Sequence, residues 1–110
     1  MKPHDAVRLG HMLEAAREAR EFASGRAREH ILRDRQLLLA LVRLLEIIGE
    51  AAAQTSEECQ QSHPQIEWGA IIGMRNRLVH GYFDINRAIV WQPVEELPSL
   101  MHSLEDMLGE

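Results

Sequence analysis

The sequence predicts an all-α fold, an up-and-down bundle of four to five helices. Three observations point there. Apolar residues recur at three- and four-residue spacing through most of the 110 positions, while the two-residue alternation of strands is weak. Only five residues are aromatic, and the apolar fraction is dominated by leucine and alanine, which favour helices. The breaks between periodic stretches are short and carry Ser, Gly or Pro.

The length suits one core, so residues 1–110 read as a single domain. Cys59 is the only cysteine, which excludes an intrachain disulfide and suggests a reducing compartment. The longest apolar run, Leu37 to Val42, stops at Arg43 and is too short to span a bilayer. A cytoplasmic protein with no membrane contact is the expectation. The net charge of −5 argues against a protein that coats nucleic acid generally. The charge is uneven, however: residues 1–43 carry nine Lys/Arg against six Asp/Glu, and residues 44–110 carry three against eleven. Any RNA contact would be a local basic spot on an acidic body.

In chain order, Asp5 is a plausible N-cap for a first helix. Its apolar stripe is Met12, Ala15, Ala16, Ala19, Phe22 and Ala23, and Ser24-Gly25 ends it. The second helix is expected from Arg28 to Glu57, about 45 Å long. Leu37, Leu41, Leu44, Ile48 and Ala51 form one apolar row, with Leu38, Val42, Leu45, Gly49 and Ala52 beside it. So broad a face suggests a central helix that touches its own bundle and a second subunit, and the small residues from Gly49 to Ala53 permit close approach. Arg43, Glu46, Glu50, Gln54 and Glu57 make the polar row. Thr55 to His63 reads as helix end and loop. Cys59 and His63 lack further ligands for a metal site, and none is assigned. Ser62-His63-Pro64-Gln65 resembles a capping box that opens the next helix. Asp84 or Asn86 can cap a short helix to Trp91, with Pro93 interrupting it. A last helix begins near Pro98, with Leu97, Leu100, Met101, Leu104 and Leu108 facing the core.

The chemistry concentrates in Arg75-Asn76-Arg77-Leu78-Val79-His80-Gly81-Tyr82, at the end of a helix starting near Trp68. Arg75 interrupts the apolar line Trp68, Ile71, Ile72, Leu78, Val79, where a charged group is costly unless paired. A second row, Gly69, Gly73, Asn76 and His80, describes a groove open to another backbone or a ligand. Arg75 and His80 are five apart, roughly 140° around a helix. They converge more easily if the helix ends at His80 with Gly81 as its C′ residue and the last turn splays. The bland readings are an arginine paired with a carboxylate of the second helix and a histidine capping carbonyls.

This stretch, with Gly49-Glu50-Ala51-Ala52 before it and Phe83-Asp84-Ile85-Asn86, Val90-Trp91 and Leu97-Pro98-Ser99-Leu100 after it, resembles the HepT toxin branch of the HEPN superfamily. The resemblance implies a dimeric endoribonuclease toxin, with Arg75 and His80 catalytic and no cofactor or metal. His80 would move a proton for attack by the RNA's own 2′-hydroxyl, and Arg75 would grip the phosphate. Asn76 and Arg77 would support them. Glu50 is either a solvent-facing residue or, by the resemblance, a carboxylate that orients Arg75 or Arg77. The implied partner is an MNT-type nucleotidyltransferase antitoxin that AMPylates the motif tyrosine, Tyr82; otherwise Tyr82 packs the helix end. The implied substrate is mRNA or tRNA. A noncatalytic, dimeric helical binding subunit of a nucleotidyltransferase is the competing class.

Overall fold

The computed structural model describes residues 1–80 and 87–110. Those residues form seven α-helices and one 3₁₀ turn: α1 (Pro3–Ala23), α2 (Arg28–Arg33), α3 (Arg35–Ala53), α4 (Glu57–Ser62), α5 (Trp68–His80), the 3₁₀ turn (Arg87–Val90), α6 (Trp91–Glu95) and α7 (Leu97–Leu108). The four longest correspond to the four principal stripes of the sequence. The larger count arises where an expected long helix breaks into pieces.

Helices α1 and α3 are the centre of the bundle. The alanines Ala15, Ala16, Ala19 and Ala23 give α1 a flat buried face, completed by Leu9, Met12 and Leu13. Phe22, expected in that stripe, is exposed. It sits off the row that α3 covers. The two helices run antiparallel, since the start of α1 meets the end of α3: His4 Nε2 and the Gln54 carbonyl oxygen are 3.0 Å apart. On either flank, α5 packs against α3 and α7 against α1. The broad apolar face of α3 is therefore divided between α1 and α5 of the same chain. Its width does not require a second subunit.

Asp5 is not an N-cap. Helix α1 begins at Pro3 after Lys2, and Asp5, in the first turn, is buried and reaches across the bundle. Its carboxylate accepts hydrogen bonds from the Ser56 backbone N–H (2.8 Å) and the Ser56 hydroxyl (2.7 Å). These bonds hold its pKa below the ordinary 3.8. Ser56 in turn accepts from the Cys59 N–H and caps α4, so the segment expected as loop is a helical turn. Cys59 is buried there, and desolvation pushes its thiol pKa up.

The expected helix from Arg28 to Glu57 is two helices, α2 and α3, and Glu57 starts α4. The chain breaks at Asp34, which takes an extended conformation and accepts a hydrogen bond from Leu37 N–H, capping α3. A capping carboxylate satisfies one of the orphan donors at a helix start, which rewards the break. At the far end Gln54 and Thr55 close α3 by bonding back to its last carbonyls.

The motif helix starts at Trp68, as expected, but Ser62 does not open it: Ser62 closes α4, and a turn follows. Trp68 anchors that turn by donating its indole N–H to the His63 carbonyl (3.0 Å). Pro93 lies inside the first turn of α6 rather than interrupting it. The first turn of a helix has no intrahelical use for that N–H. Helix α7 starts at Leu97 with Pro98 in its first turn, and Leu97 and Leu104 are buried. Among the described residues no helix is long and apolar enough to cross a membrane.

Candidate active site

The site begins with a glycine. At Gly49 on α3 an added Cβ would lie 2.2 Å from Arg75 Cβ and 3.1 Å from the Ile71 carbonyl oxygen. Only a residue without a side chain lets α5 come this close. The approach presses the Arg75 stem onto α3 and leads its guanidinium to the rim. There Nη2 lies 3.4 Å from Glu50 Oε2, and Nη1 donates to Asn76 Oδ1 at 2.8 Å. Glu50, half exposed, is the partner of Arg75, a pairing that the bland reading of that arginine also expects, and it does not meet Arg77 in any ion pair among the described residues.

The Arg75 side chain retains about a quarter of its exposure and Glu50 half. A pair this wet contributes on the order of 0–1 kcal/mol to stability, so its consequence is the direction of the guanidinium. Arg75 Nε is buried and finds no hydrogen-bond partner among the described residues. The two Nη atoms keep N–H groups beyond those given to Glu50 and Asn76. A planar donor fork held at a rim suits a phosphate.

His80 is exposed on the last turn of α5. The helix stays regular through His80 instead of splaying, so the imidazole keeps its place on the wheel, well round from Arg75. No hydrogen bond or ion pair joins the two among the described residues. Arg77, two positions from Arg75, projects to the other flank of α5. There it lines a groove of about 690 Å³ with Met74 and Ile71, facing Ile89 and Leu100 across the gap. The structure thus gathers Arg75, Glu50 and Asn76, and leaves His80 and Arg77 apart from them. Tyr82 and Gly81 lie outside the described residues, as do Asp84 and Asn86 with the capping expected of them.

Beyond Gly69 and Gly73 an added Cβ would meet none of the described residues within 4 Å, so among them that row of α5 is open. Val79 on α5 and Leu39 on α3 are the large apolar side chains these helices leave exposed. Gly49 is the feature whose importance to Arg75 the sequence concealed. It stands among small residues that signal close packing, but nothing there identifies the opposing side chain. No group of three or more His, Cys, Asp or Glu gathers as a metal ligand set among the described residues.

A family profile described as "Ribonuclease HepT-like" matches residues 12–107, which include the whole of α3 and α5. The chain belongs to the HepT-like ribonuclease family. Relatives agree along nearly their whole lengths. A provisionally named RNase of Caldanaerobacter subterraneus subsp. tengcongensis is 36% identical over 101 residues, 91% of this chain and 90% of that protein. A provisionally named ribonuclease HepT of Thermococcus cleftensis is 34% identical over 100 residues, 90% of this chain and 91% of its own. A similarly named RNase of Methanocaldococcus jannaschii is 30% identical over 95 residues, 86% and 87% of the two chains. No solved structure gives a significant match. The HepT-like region contains both members of the Glu50–Arg75 pair and His80, whereas the clasp at Asp5 lies before it.

Proposed function

We propose that this protein is a metal-independent endoribonuclease toxin whose catalytic groups are Arg75 and His80. The observation that carries the reading is the Arg75 guanidinium, pinned at the rim by Glu50 and Asn76 on the helix that ends in an exposed His80. Membership in the HepT-like family and the ribonuclease names of its relatives support the same chemistry.

The nucleophile belongs to the substrate. The 2′-hydroxyl of RNA attacks the neighbouring phosphorus, a 2′-O–P bond forms and the P–O5′ bond breaks. One proton leaves the 2′-oxygen and one reaches the departing 5′-oxygen; the products are a 2′,3′-cyclic phosphate and a 5′-hydroxyl. Arg75 stabilises the charge gathering on the phosphoryl oxygens, and His80 carries one of the two proton transfers. One imidazole does not serve both ends of the reaction at once. A homodimer, formed by two-fold pairing of α5 across the open Gly69 and Gly73 row, brings a second His80 and Arg75 into a shared cleft. The exposed Val79 is consistent with such pairing.

Control follows the same logic. An MNT-type nucleotidyltransferase antitoxin transfers AMP from ATP to the hydroxyl of Tyr82, two residues beyond His80; a tyrosyl O–P bond forms, the α–β phosphoanhydride bond breaks, and pyrophosphate and the phenolic proton leave, while the added negative charge repels RNA phosphates. The test is expression in a host with and without such an enzyme. Wild type arrests growth, His80→Ala does not, and the antitoxin rescues wild type but not Tyr82→Phe. A wild type that is harmless and inert on RNA overturns the proposal in favour of a noncatalytic binding subunit.

A further inference from the structure

Helix α3 leaves one ridge in water before its last turn. Arg35, Leu39, Arg43 and Glu50 are exposed and follow it at spacings of four, four and seven residues, with the half-buried Glu46 between the last two. Glu50, at one end, is the residue that holds Arg75. From there to Arg35 the ridge rises about 22 Å, room for several nucleotides of a single strand. Beyond Arg35 the chain turns at Asp34 into α2, where Arg28 and Arg33 are also exposed. Arg87 joins this end by donating to the Leu32 carbonyl at 3.2 Å, which tacks the 3₁₀ turn onto α2.

The charge balance of this corner is unlike the rest of the molecule. Residues 26–43 contain five arginines and two acids on a chain with net charge −5. One of those acids, Asp34, is already engaged: it caps α3 and lies near Arg26 (3.9 Å) and His30 (3.7 Å). Elsewhere Lys2, Arg17 and Arg75 each find a carboxylate, while Arg8, Arg20 and Arg77 meet none in an ion pair among the described residues. Arg28, Arg33 and Arg43 find none among the described residues. Three such cations, two on α2 and one on the α3 ridge, favour a polyanion. The stretch has no aromatic residue on which bases could stack, so the contact is with phosphates.

We infer that the α2 corner and the exposed ridge of α3 form a track for the phosphate backbone of single-stranded RNA, leading to Arg75. The inference rests on the ribonuclease reading above and adds how substrate reaches the site. It makes recognition sequence-tolerant and salt-sensitive, with the catalytic groups choosing the cut.

The test uses the triple variant Arg28→Gln, Arg33→Gln, Arg43→Gln. In a His80→Ala background, binding of a labelled single-stranded RNA of about 20 nucleotides is followed by anisotropy between about 50 and 200 mM salt. Losing three phosphate contacts lowers the slope of log affinity against log salt by about 2. With His80 intact, the KM for the same RNA rises at least about fivefold, while turnover of a dinucleotide is unchanged, since that substrate does not reach the track. The matching Arg→Lys triple variant restores the slope, which separates charge from any loss of folding. An unchanged slope and KM with active wild type overturns the track but leaves the nuclease standing. Wild type that neither binds nor cuts RNA removes both.

Discussion

At the residue scale the account depends on a guanidinium and an imidazole. His80 is exposed and helps bury nothing, so His80→Ala should leave the helical circular dichroism intact while cutting cleavage by roughly 10²–10⁴. Arg75→Lys keeps the charge but loses the fork aimed by Glu50 and Asn76, and kcat should fall with it, measured under saturating RNA. The sequence exposed both residues through their oddity, a charge in an apolar row and a histidine before a glycine. It did not expose Asp5, because a carboxylate in a first turn has the same signature whether it caps its own helix or clasps another. That clasp has a pH signature. Ser56 donors favour the charged form of Asp5 in the fold, so the stabilisation is complete above the ordinary value of 3.8 and is lost as pH falls through the lower folded value. Asp5→Asn should therefore melt below wild type at neutral pH, and the gap should narrow as pH falls below 3.8 in thermal scans.

At the element scale, the packing of α5 on α3 decides whether the site exists. Gly49→Ala places a methyl group into the Arg75 stem, a backbone-proximal overlap that a flexible tip cannot relieve. Such overpacking costs about 1–3 kcal/mol, to be read from urea unfolding. Activity should fall as well, since the displaced helix carries Arg75 with it; an undiminished rate would show that the close approach is dispensable. Periodicity identified the four long stripes because their buried residues do repeat at helical spacing. It ran α2 into α3 and took α4 for a loop because Asp34 and Ser56 are polar residues at the joints, and a local cap competes with a continuing helix by only about 1 kcal/mol. The same near-balance explains why Pro93 was read as an interruption although a first turn accommodates it.

At the scale of the whole molecule, charge and symmetry are the open consequences. An acidic chain with a basic corner should bind RNA at one place, and the triple arginine variant tests that. The two-imidazole cleavage proposed above requires two chains. Sedimentation should therefore give twice the 12.6 kDa of one chain, with Val79→Asp shifting the protein toward monomer and lowering its activity. The broad face of α3 is not itself an argument for a second subunit, because α1 and α5 of the same chain both pack on it. The exposed residues of α5 are the better argument for pairing. The most direct measurement of the central claim is analysis of RNA ends after digestion in EDTA. Wild type should leave 2′,3′-cyclic phosphates and 5′-hydroxyls, and His80→Ala should leave the RNA whole. Cleavage that vanishes in EDTA, or that persists undiminished in His80→Ala, would contradict it.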